Sequence, residues 1–289
     1  MIQAADLRAE ADRIGHSLPA LLAEAERLSS ALSLGEHGRK RAGQGADFWQ
    51  YRPAMPGDTA RNVDWRRSAK SDAPYIRERE WQASQGVTFW VDPARSMQFQ
   101  GAKSRPAKGD RAAVLALALA ICLLKGGERV GAEGQGRPRA GMAQVRPLAQ
   151  ALITQSDAEF GAPSLNDSVS YGRAVVISDF LGDLAPMQTA MAQAADKGVR
   201  GLILQVLDPA EEEFPFDGRT IFQSMGGGTQ FETQEAGDLR NRYLERLAQR
   251  KDALAAMARA LGWHVHCHHT GAAVLPSLLW AHQALGAAR

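Results

Sequence analysis

The sequence predicts an α/β protein whose main sheet is doubly wound and mostly parallel. Residues 87–91 and 174–177 are continuous runs of apolar and β-branched side chains without polar alternation, which is typical of strands buried on both faces. Residues 201–207 form a third run of this kind. Segments with helical periodicity separate the runs, and strands that alternate with helices favour a parallel sheet.

The composition is that of an ordinary globular protein. The chain has 289 residues, enough for one large α/β domain or for one domain with an appendage. Its net charge of +2 gives no reason to expect a nucleic acid partner. The two cysteines, Cys122 and Cys267, are too few for a disulfide framework and fit a reducing compartment.

No segment has the pattern of a signal peptide or a membrane span. Residues 1–30 carry scattered charges and lack the apolar core of a signal peptide. The most apolar segment, 112–124, is shorter than the ~20 residues that a membrane helix needs, and charged residues flank it closely. We therefore expect a cytoplasmic protein without membrane insertion.

The sequence divides into three regions. Residues 1–34 are predicted to form an N-terminal helical arm, because apolar residues recur there at helical spacing. Residues 35–85 are predicted to form a small β-rich subdomain, in which Pro56-Gly57 suits the centre of a type II turn and residues 75–81 alternate like a half-exposed strand. Residues 86–289 are predicted to form the main α/β domain.

Within the main domain the predicted strands and helices alternate along the chain. The strands are 87–92, 129–133, 174–179, 201–207 and 263–268. The helices are 108–125, 147–154, a short one near 165–171, 184–197, 237–261 and 272–285. The glycine-rich segment 225–228 lies between 220–223 and 229–232, and this arrangement predicts a hairpin.

Polar side chains follow two of the predicted strands at the point where each ends. Asp92 follows the first strand, and Ser96 comes four residues later. Asp179 follows the strand 174–177 after Ser178. In open α/β sheets ligands bind beyond the carboxyl ends of the strands, so we expect these side chains to face one crevice.

Several motifs occur along the chain in a characteristic order. They are Gly43-x-Gly45-x-x-Phe48, Tyr51-Arg52-Pro53-x-x-Pro56-Gly57-Asp58-x-x-Arg61-x-x-Asp64-Trp65, Asp92-x-x-x-Ser96-Met97, Ile177-Ser178-Asp179-Phe180 and Leu207-Asp208-Pro209-Ala210-Glu211-Glu212. In this order they resemble the family catalogued as "domain of unknown function 58", over roughly residues 35–270. The resemblance implies a von Willebrand factor A-like fold and a role as adaptor or partner of a MoxR-type AAA+ ATPase. Many members carry two N-terminal membrane helices, and this sequence resembles the shorter form without them.

The resemblance also implies a place for a divalent cation. Von Willebrand A domains often hold Mg²⁺ at a metal-ion-dependent adhesion site, with an Asp-x-Ser-x-Ser motif after the first strand, a Thr on a second loop and an Asp on a third. Asp92 matches the first Asp, Ser96 the second Ser and Asp179 the last Asp. Ala94 stands where the first Ser is expected. Mg²⁺ prefers about six oxygen ligands, so the missing hydroxyl weakens the match.

Two further departures concern the loops around this site. The segment 157–165 matches the second loop but contains no Thr, which leaves Ser164 as its substitute. Arg95 brings a cation to the place where Mg²⁺ would sit.

The resemblance therefore implies a degenerate metal site that serves as a docking surface. Its partner-binding residues are Asp92, Arg95, Ser96, Ser164 and Asp179. An intact site with Mg²⁺ as cofactor stays open as an alternative. So does a purely structural role, in which the two aspartates only cap helices.

Two other classes of function have some support in the sequence. A carboxylate at a strand end can be the nucleophile of aspartyl-phosphate chemistry, but the haloacid dehalogenase pattern needs a second Asp where Ala94 stands. No Gly-x-Ser-x-Gly motif is present either, so we predict that the protein is not an enzyme. Residues 39–80 interleave basic and aromatic side chains in a pattern that can bind single-stranded nucleic acid. The competing interpretation is that Arg52, Arg61 and Arg66 pair with nearby acids.

Three histidines alternate in the last predicted strand. His264, His266 and His268 would share one face of it, and three imidazoles on one face are a potential zinc site. The alternative is a half-exposed edge strand in which the histidines bind no metal.

Overall fold

The computed structural model describes residues 20, 22–31, 42–55, 63–69, 74–80, 86–168, 170–228 and 230–287. The chain divides into two units. Residues Gly35–Ser84 form the smaller unit, and Met1–Leu34 together with Gln85–Arg289 form the larger one. In chain order the first described element is the helix α1, residues 22–31, which buries Ala25 and Leu28 in the core of the larger unit.

The smaller unit is built on an antiparallel pair of strands, β1 (Ala42–Pro53) and β2 (Tyr75–Glu80). A short helix, α2 (Trp65–Ser68), lies between them in sequence and begins at Asp64, whose carboxylate accepts a hydrogen bond from the Arg67 N–H. The β-rich insertion predicted from the sequence is therefore present. The predicted Pro56-Gly57 turn and residues 1–19 of the predicted arm lie outside the described residues.

The larger unit is built on a five-stranded parallel sheet. The strands that follow β2 are β3 (Gly86–Val91), β4 (Arg129–Ala132), β5 (Arg173–Ser178), β6 (Arg200–Leu207), the hairpin strands β7 (Thr220–Gln223) and β8 (Gln230–Thr233), and β9 (His264–His269). The sheet order is β4-β3-β5-β6-β9, and every pairing in it is parallel. The chain steps from β3 to one side for β4 and to the other side for β5, which confirms the predicted doubly wound, parallel class.

Helices cover both faces of this sheet. They are α3 (Lys108–Lys125), α4 (Val145–Leu152), α5 (Leu184–Asp196), α6 (Pro209–Glu213), α7 (Arg240–Ala260) and α8 (Val274–Ala287). Alternate side chains of β3 enter two separate cores, because successive residues of a strand point to opposite faces. Phe89 belongs to the core to which α1, α3, α4 and α8 contribute, whereas Trp90 belongs to the core to which α5 and α7 contribute. None of the helices described is long and apolar enough to cross a membrane.

One predicted helix is wrong. The described part of residues 165–171 forms turns instead of a helix. Leu165 has a φ of 53° and Tyr171 a φ of 58°, and residues in this left-handed region cannot continue a right-handed helix. The predicted hairpin is confirmed by the antiparallel pairing of β7 with β8.

Candidate functional site

Three neighbouring strands of the parallel sheet end at a carboxylate. Asp92 follows β3, Asp179 lies one residue beyond the end of β5, and Asp208 follows β6. The strands are parallel and in register, so these residues lie at one edge of the sheet, here named the carboxyl edge. All three side chains are buried, with residue exposures of 3%, 0% and 0%.

The Asp92 carboxylate accepts hydrogen bonds from the end of β5 and from two loops. Its carboxylate accepts from Ser178 Oγ at 2.7 Å, from the Ala94 N–H at 2.9 Å and from the Gly161 N–H at 3.4 Å. Burial raises the pKa of Asp92, although the bonds from Ser178 and Ala94 oppose that rise. A Cβ at position 161 would lie 2.2 Å from the Asp92 carboxylate, so the loop can approach this closely only with glycine.

Lys108 places a buried positive charge at the carboxyl edge. Its side chain is 1% exposed, and its Nζ donates to Asp179 Oδ2 at 2.8 Å and to Glu211 Oε1 at 2.6 Å. Asp179 also accepts from the Leu181 N–H at 3.0 Å. Burial raises the pKa of Glu211, with Lys108 opposing the rise. One ammonium thus lies between two carboxylates, and a third carboxylate, Asp92, is close by.

Asp208 organises the end of β6. It accepts from Arg105 Nη2 at 2.8 Å, from Thr270 Oγ1 at 2.8 Å and from the Ala210 N–H at 2.9 Å. It also caps α6 in a reciprocal capping box with Glu211. Burial opposes ionisation, but the hydrogen bonds outweigh it and hold the pKa of Asp208 at about 2.

We expect Asp208→Asn to lower the free energy of unfolding by about 2 kcal/mol near neutral pH, because the folded state stabilises the charged form. The folded pKa is depressed from 3.8 to about 2, so this contribution is complete above the unfolded value and is lost as the pH falls towards 2. Urea unfolding of both proteins near neutral pH and again near pH 3 measures the difference. Asp157→Asn is the control, since it removes an Arg–Asp pair in which Asp157 is 97% exposed. A difference that does not shrink in acid would contradict the assignment.

The residues present do not fit an Mg²⁺ ion. The Lys108 ammonium already neutralises Asp179 where a cation would bind, and both oxygens of Asp92 accept protein hydrogen bonds. Ala94 is buried and offers no oxygen from its side chain. Ser96 Oγ is buried and finds no hydrogen-bond partner in the described part of the chain, so it is the one spare oxygen of the expected set. Mg²⁺ needs several oxygen ligands, and the expected ones are here paired with Lys108, occupied by protein hydrogen bonds or replaced by Ala94.

Two of the expected docking residues lie elsewhere on the loops. Arg95 forms an ion pair with Asp157 at 2.6 Å and remains 38% exposed. The cation beside the strand-end aspartates is therefore Lys108, which the sequence presented only as a charge flanking an apolar helix. Ser164 is exposed and hydrogen-bonds Glu133, which also accepts from the Leu165 N–H at 2.8 Å.

Two of the three alternating histidines of β9 lie within hydrogen-bond distance of the same serine. His266 Nε2 and His268 Nδ1 lie 3.0 Å and 2.9 Å from the same hydroxyl oxygen, Ser277 Oγ, whereas His264 is exposed. Burial lowers the pKa of His268 to about 4 and also lowers the pKa of His266. Both rings are therefore neutral near physiological pH and share a hydroxyl partner.

Only parts of the basic-aromatic segment 39–80 belong to the described residues. The side chains of Arg52 and Arg61 lie outside the described residues. Arg67 packs over the Tyr75 ring, with 5.5 Å from Cζ to the ring centroid, and Trp65 is 66% exposed.

An aromatic pocket lies next to Lys108, and the sequence patterns did not reveal it. It has a volume of about 360 Å³, and its lining residues are Phe99, Ala210, Glu211, Phe214, Phe216, Phe222, Phe231, Leu239 and Tyr243. The Phe214 ring lies 5.2 Å from Phe216, 5.7 Å from Phe222 and 4.9 Å from Tyr243, measured between centroids. Glu211 is shared, because it both lines the pocket and binds Lys108.

Large apolar side chains are exposed on the β7–β8 hairpin and on the loop that holds Asp92. Phe231 (53%) lines the pocket, Ile221 (54%) points to the opposite face of the hairpin, and Met225 (41%) lies in its turn. Phe160 is 43% exposed in the loop that holds Asp92, and its ring packs against Gly182 just beyond β5. Exposed apolar side chains that cluster at one edge are typical of an interaction surface.

A family model matches most of the chain. The model described as "Protein of unknown function DUF58" matches residues 50–253. The chain is 28% identical over 246 residues to "Uncharacterized protein Rv1480" of Mycobacterium tuberculosis, an alignment that covers 79% of this chain and 76% of the relative. "Uncharacterized protein Mb1516" of Mycobacterium bovis matches with the same identity and coverage.

Two solved structures are distantly similar. One is an aerotolerance-related membrane protein from Bacteroides fragilis, with 16% identity and a TM-score of 0.41. The other is the conserved hypothetical protein BatB from Bacteroides thetaiotaomicron, with 14% identity and a TM-score of 0.41. Each likeness covers 70% of this chain and 98% of the other.

Proposed function

The chain belongs to the DUF58 family, and we propose that it is a non-enzymatic protein-interaction module that docks a partner at the carboxyl edge of its sheet. The partner that the family resemblance implies is a MoxR-type AAA+ ATPase in the cytoplasm. Docking requires no bound metal, because Lys108 supplies the positive charge beside Asp179.

The exposed apolar side chains at the carboxyl edge are the main support for this proposal. Phe160, Ile221, Met225 and Phe231 are each at least 41% exposed, and Phe231 also lines the aromatic pocket. Protein interfaces concentrate their binding free energy in a few apolar or aromatic anchors that enter such pockets. A partner that covers these side chains removes apolar area from water, at roughly 25 cal/mol per Å².

The buried carboxylates act indirectly in this proposal. Asp92 and Asp179 are too deeply buried to contact a partner, but they fix the loops that present the exposed residues. Ser96 is also buried, and its N–H donates to the carbonyl of Glu159, which ties its loop to the one that carries Phe160. Arg95 remains exposed enough for direct contact.

The surroundings of Asp92 also support a binding role over catalysis. A nucleophilic carboxylate must meet its substrate, but Asp92 is 3% exposed and its oxygens accept hydrogen bonds from Ser178 and Ala94. Burial raises its pKa, which disfavours the ionised form that attack would need.

Isothermal titration of the purified chain with a MoxR-type ATPase from the same organism tests the proposal. We expect saturable binding that persists in EDTA with the nucleotide-free ATPase, because in this proposal Lys108 supplies the positive charge beside Asp179. An AAA+ ATPase of another class serves as the control partner. Binding that requires Mg²⁺ would favour the intact metal site, and no binding under any nucleotide condition would refute the ATPase as partner.

A further inference from the structure

A second group of ligand-type side chains lies between α6, α7 and β9, separate from Asp92 and Asp179. Glu212, Cys267 and His269 each offer one ligand atom, and these atoms lie within 4.8 Å of one another. His269 Nδ1 is 2.5 Å from Glu212 Oε2. The three residues are half-buried, so water and ions can reach them.

The strand geometry of β9 explains why the group forms. Cys267 and His269 are two residues apart and therefore point to the same face of the sheet. They pair with Gln205 and Leu207 of β6, and the chain turns from Leu207 directly into α6. Glu212 is consequently brought over the face on which the thiol and the imidazole lie.

We propose that Glu212, Cys267 and His269 bind a zinc ion. A thiolate, an imidazole and a carboxylate are the donors that Zn²⁺ takes in proteins, and the sulfur ligand disfavours Mg²⁺ and Ca²⁺. Tetrahedral zinc with bonds of about 2.0–2.3 Å places its ligand atoms roughly 3.3–3.6 Å apart. The three ligand atoms already lie within 4.8 Å of one another, and His269 Nδ1 and Glu212 Oε2, now 2.5 Å apart, separate to admit the ion. Water fills the fourth position.

Lys251 competes with the ion in this arrangement. Lys251 lies on α7, and its ammonium forms an ion pair with Glu212 of α6. The Lys251 side chain is 34% exposed. When the ion binds, Lys251 turns into solvent and keeps its proton. The Cys267 thiol loses its proton to the buffer, and the new Zn–S bond replaces S–H. In the metal-free protein burial raises the pKa of Cys267 to about 11, so the thiol starts protonated.

Cobalt(II) is the probe, because a thiolate bound to cobalt gives a ligand-to-metal charge-transfer band. Equilibrium dialysis of the full chain against Co²⁺ is expected to give one ion per chain with this band, and Zn²⁺ is expected to abolish the band by displacement. Cys267→Ser should lose the band, whereas the same change at the other thiol, Cys122→Ser, should keep it. Glu212→Gln and His269→Ala should each weaken binding by about tenfold or more. Lys251→Gln should tighten it several-fold.

Circular dichroism identifies any variant that fails to fold. The remaining variants then still decide whether the three residues bind the ion. No cobalt bound to the wild type would overturn the proposal. A band that survives in Cys267→Ser, or that disappears in His264→Ala on the other face of β9, would show adventitious binding and overturn it equally. These readouts require no partner protein, so they are independent of the proposed docking function.

Discussion

Replacing Lys108 by methionine is expected to lower the free energy of unfolding by about 3–5 kcal/mol, because it leaves two buried carboxylates without their counter-charge. The methionine side chain has a similar length but no charge. The Lys108 side chain is 1% exposed and contacts Asp179 and Glu211, whose side chains are 1% and 13% exposed. Urea unfolding near neutral pH measures the change, with circular dichroism as the probe.

Two controls distinguish this account from a simple packing defect. Adding Asp179→Asn and Glu211→Gln to Lys108→Met removes the two unpaired carboxylate charges. The triple variant should recover much of the lost free energy of unfolding. The loss should also be smaller in mild acid. Burial raises the pKa of Glu211 and Lys108 opposes that rise, so without Lys108 the folded-state pKa of Glu211 rises further. The variant therefore gains relative stability below the unfolded pKa of Glu211 and loses it as the pH rises. A loss below about 1 kcal/mol, typical of a surface ion pair, would contradict the account.

Changing both exposed residues of the hairpin, Ile221→Ser with Phe231→Ser, is expected to weaken docking by about 30-fold, or about 2 kcal/mol. Both side chains are more than half exposed, so the free energy of unfolding should change little. The loss arises because the partner can no longer bury Phe231 at the aromatic pocket or Ile221 on the other face of the hairpin. Titration calorimetry with the ATPase measures the affinity, and urea unfolding measures the stability.

Tyr171→Ser is the matched control for the hairpin variant. Tyr171 is the most exposed of the large apolar side chains described, at 82%, but it precedes β5 and so lies at the opposite edge of the sheet. Its replacement should leave the affinity unchanged. If the hairpin variant bound as tightly as the wild type, or if Tyr171→Ser weakened binding equally, docking would not depend on the hairpin.

The sequence was sufficient to predict the sheet because its signals are local. The uninterrupted apolar runs identify β3, β5 and β6, and the parallel topology then forces Asp92 and Asp179 to one edge. The turns at residues 165–171 escaped prediction because positive φ values at Leu165 and Tyr171 leave little trace in residue type. Glycine would have been a signal, but neither residue is glycine.

The site itself was less predictable because its contacts span the chain. Lys108 reaches Asp179 across 71 residues and Glu211 across 103, and nothing near Lys108 in sequence distinguishes it from a solvated lysine at a helix end. Phe214 and Phe216 follow the motif at 207–212 closely in sequence, but the pocket forms only when the β7–β8 hairpin and Tyr243 of α7 pack against them. Side chains that meet through tertiary packing cannot be paired from local pattern alone.

Hydrogen exchange of the chain with and without the bound ATPase tests the central claim most directly, because it maps the docking edge. We expect the amides of 94–98, 158–161 and 210–214 and those of the hairpin, 220–228 and 230–233, to become protected, since they lie at or around the carboxyl edge. The loops that precede β6 and β9 at the opposite edge, 197–199 and 261–263, should exchange at unchanged rates. Protection confined to those opposite loops would contradict docking at the carboxyl edge.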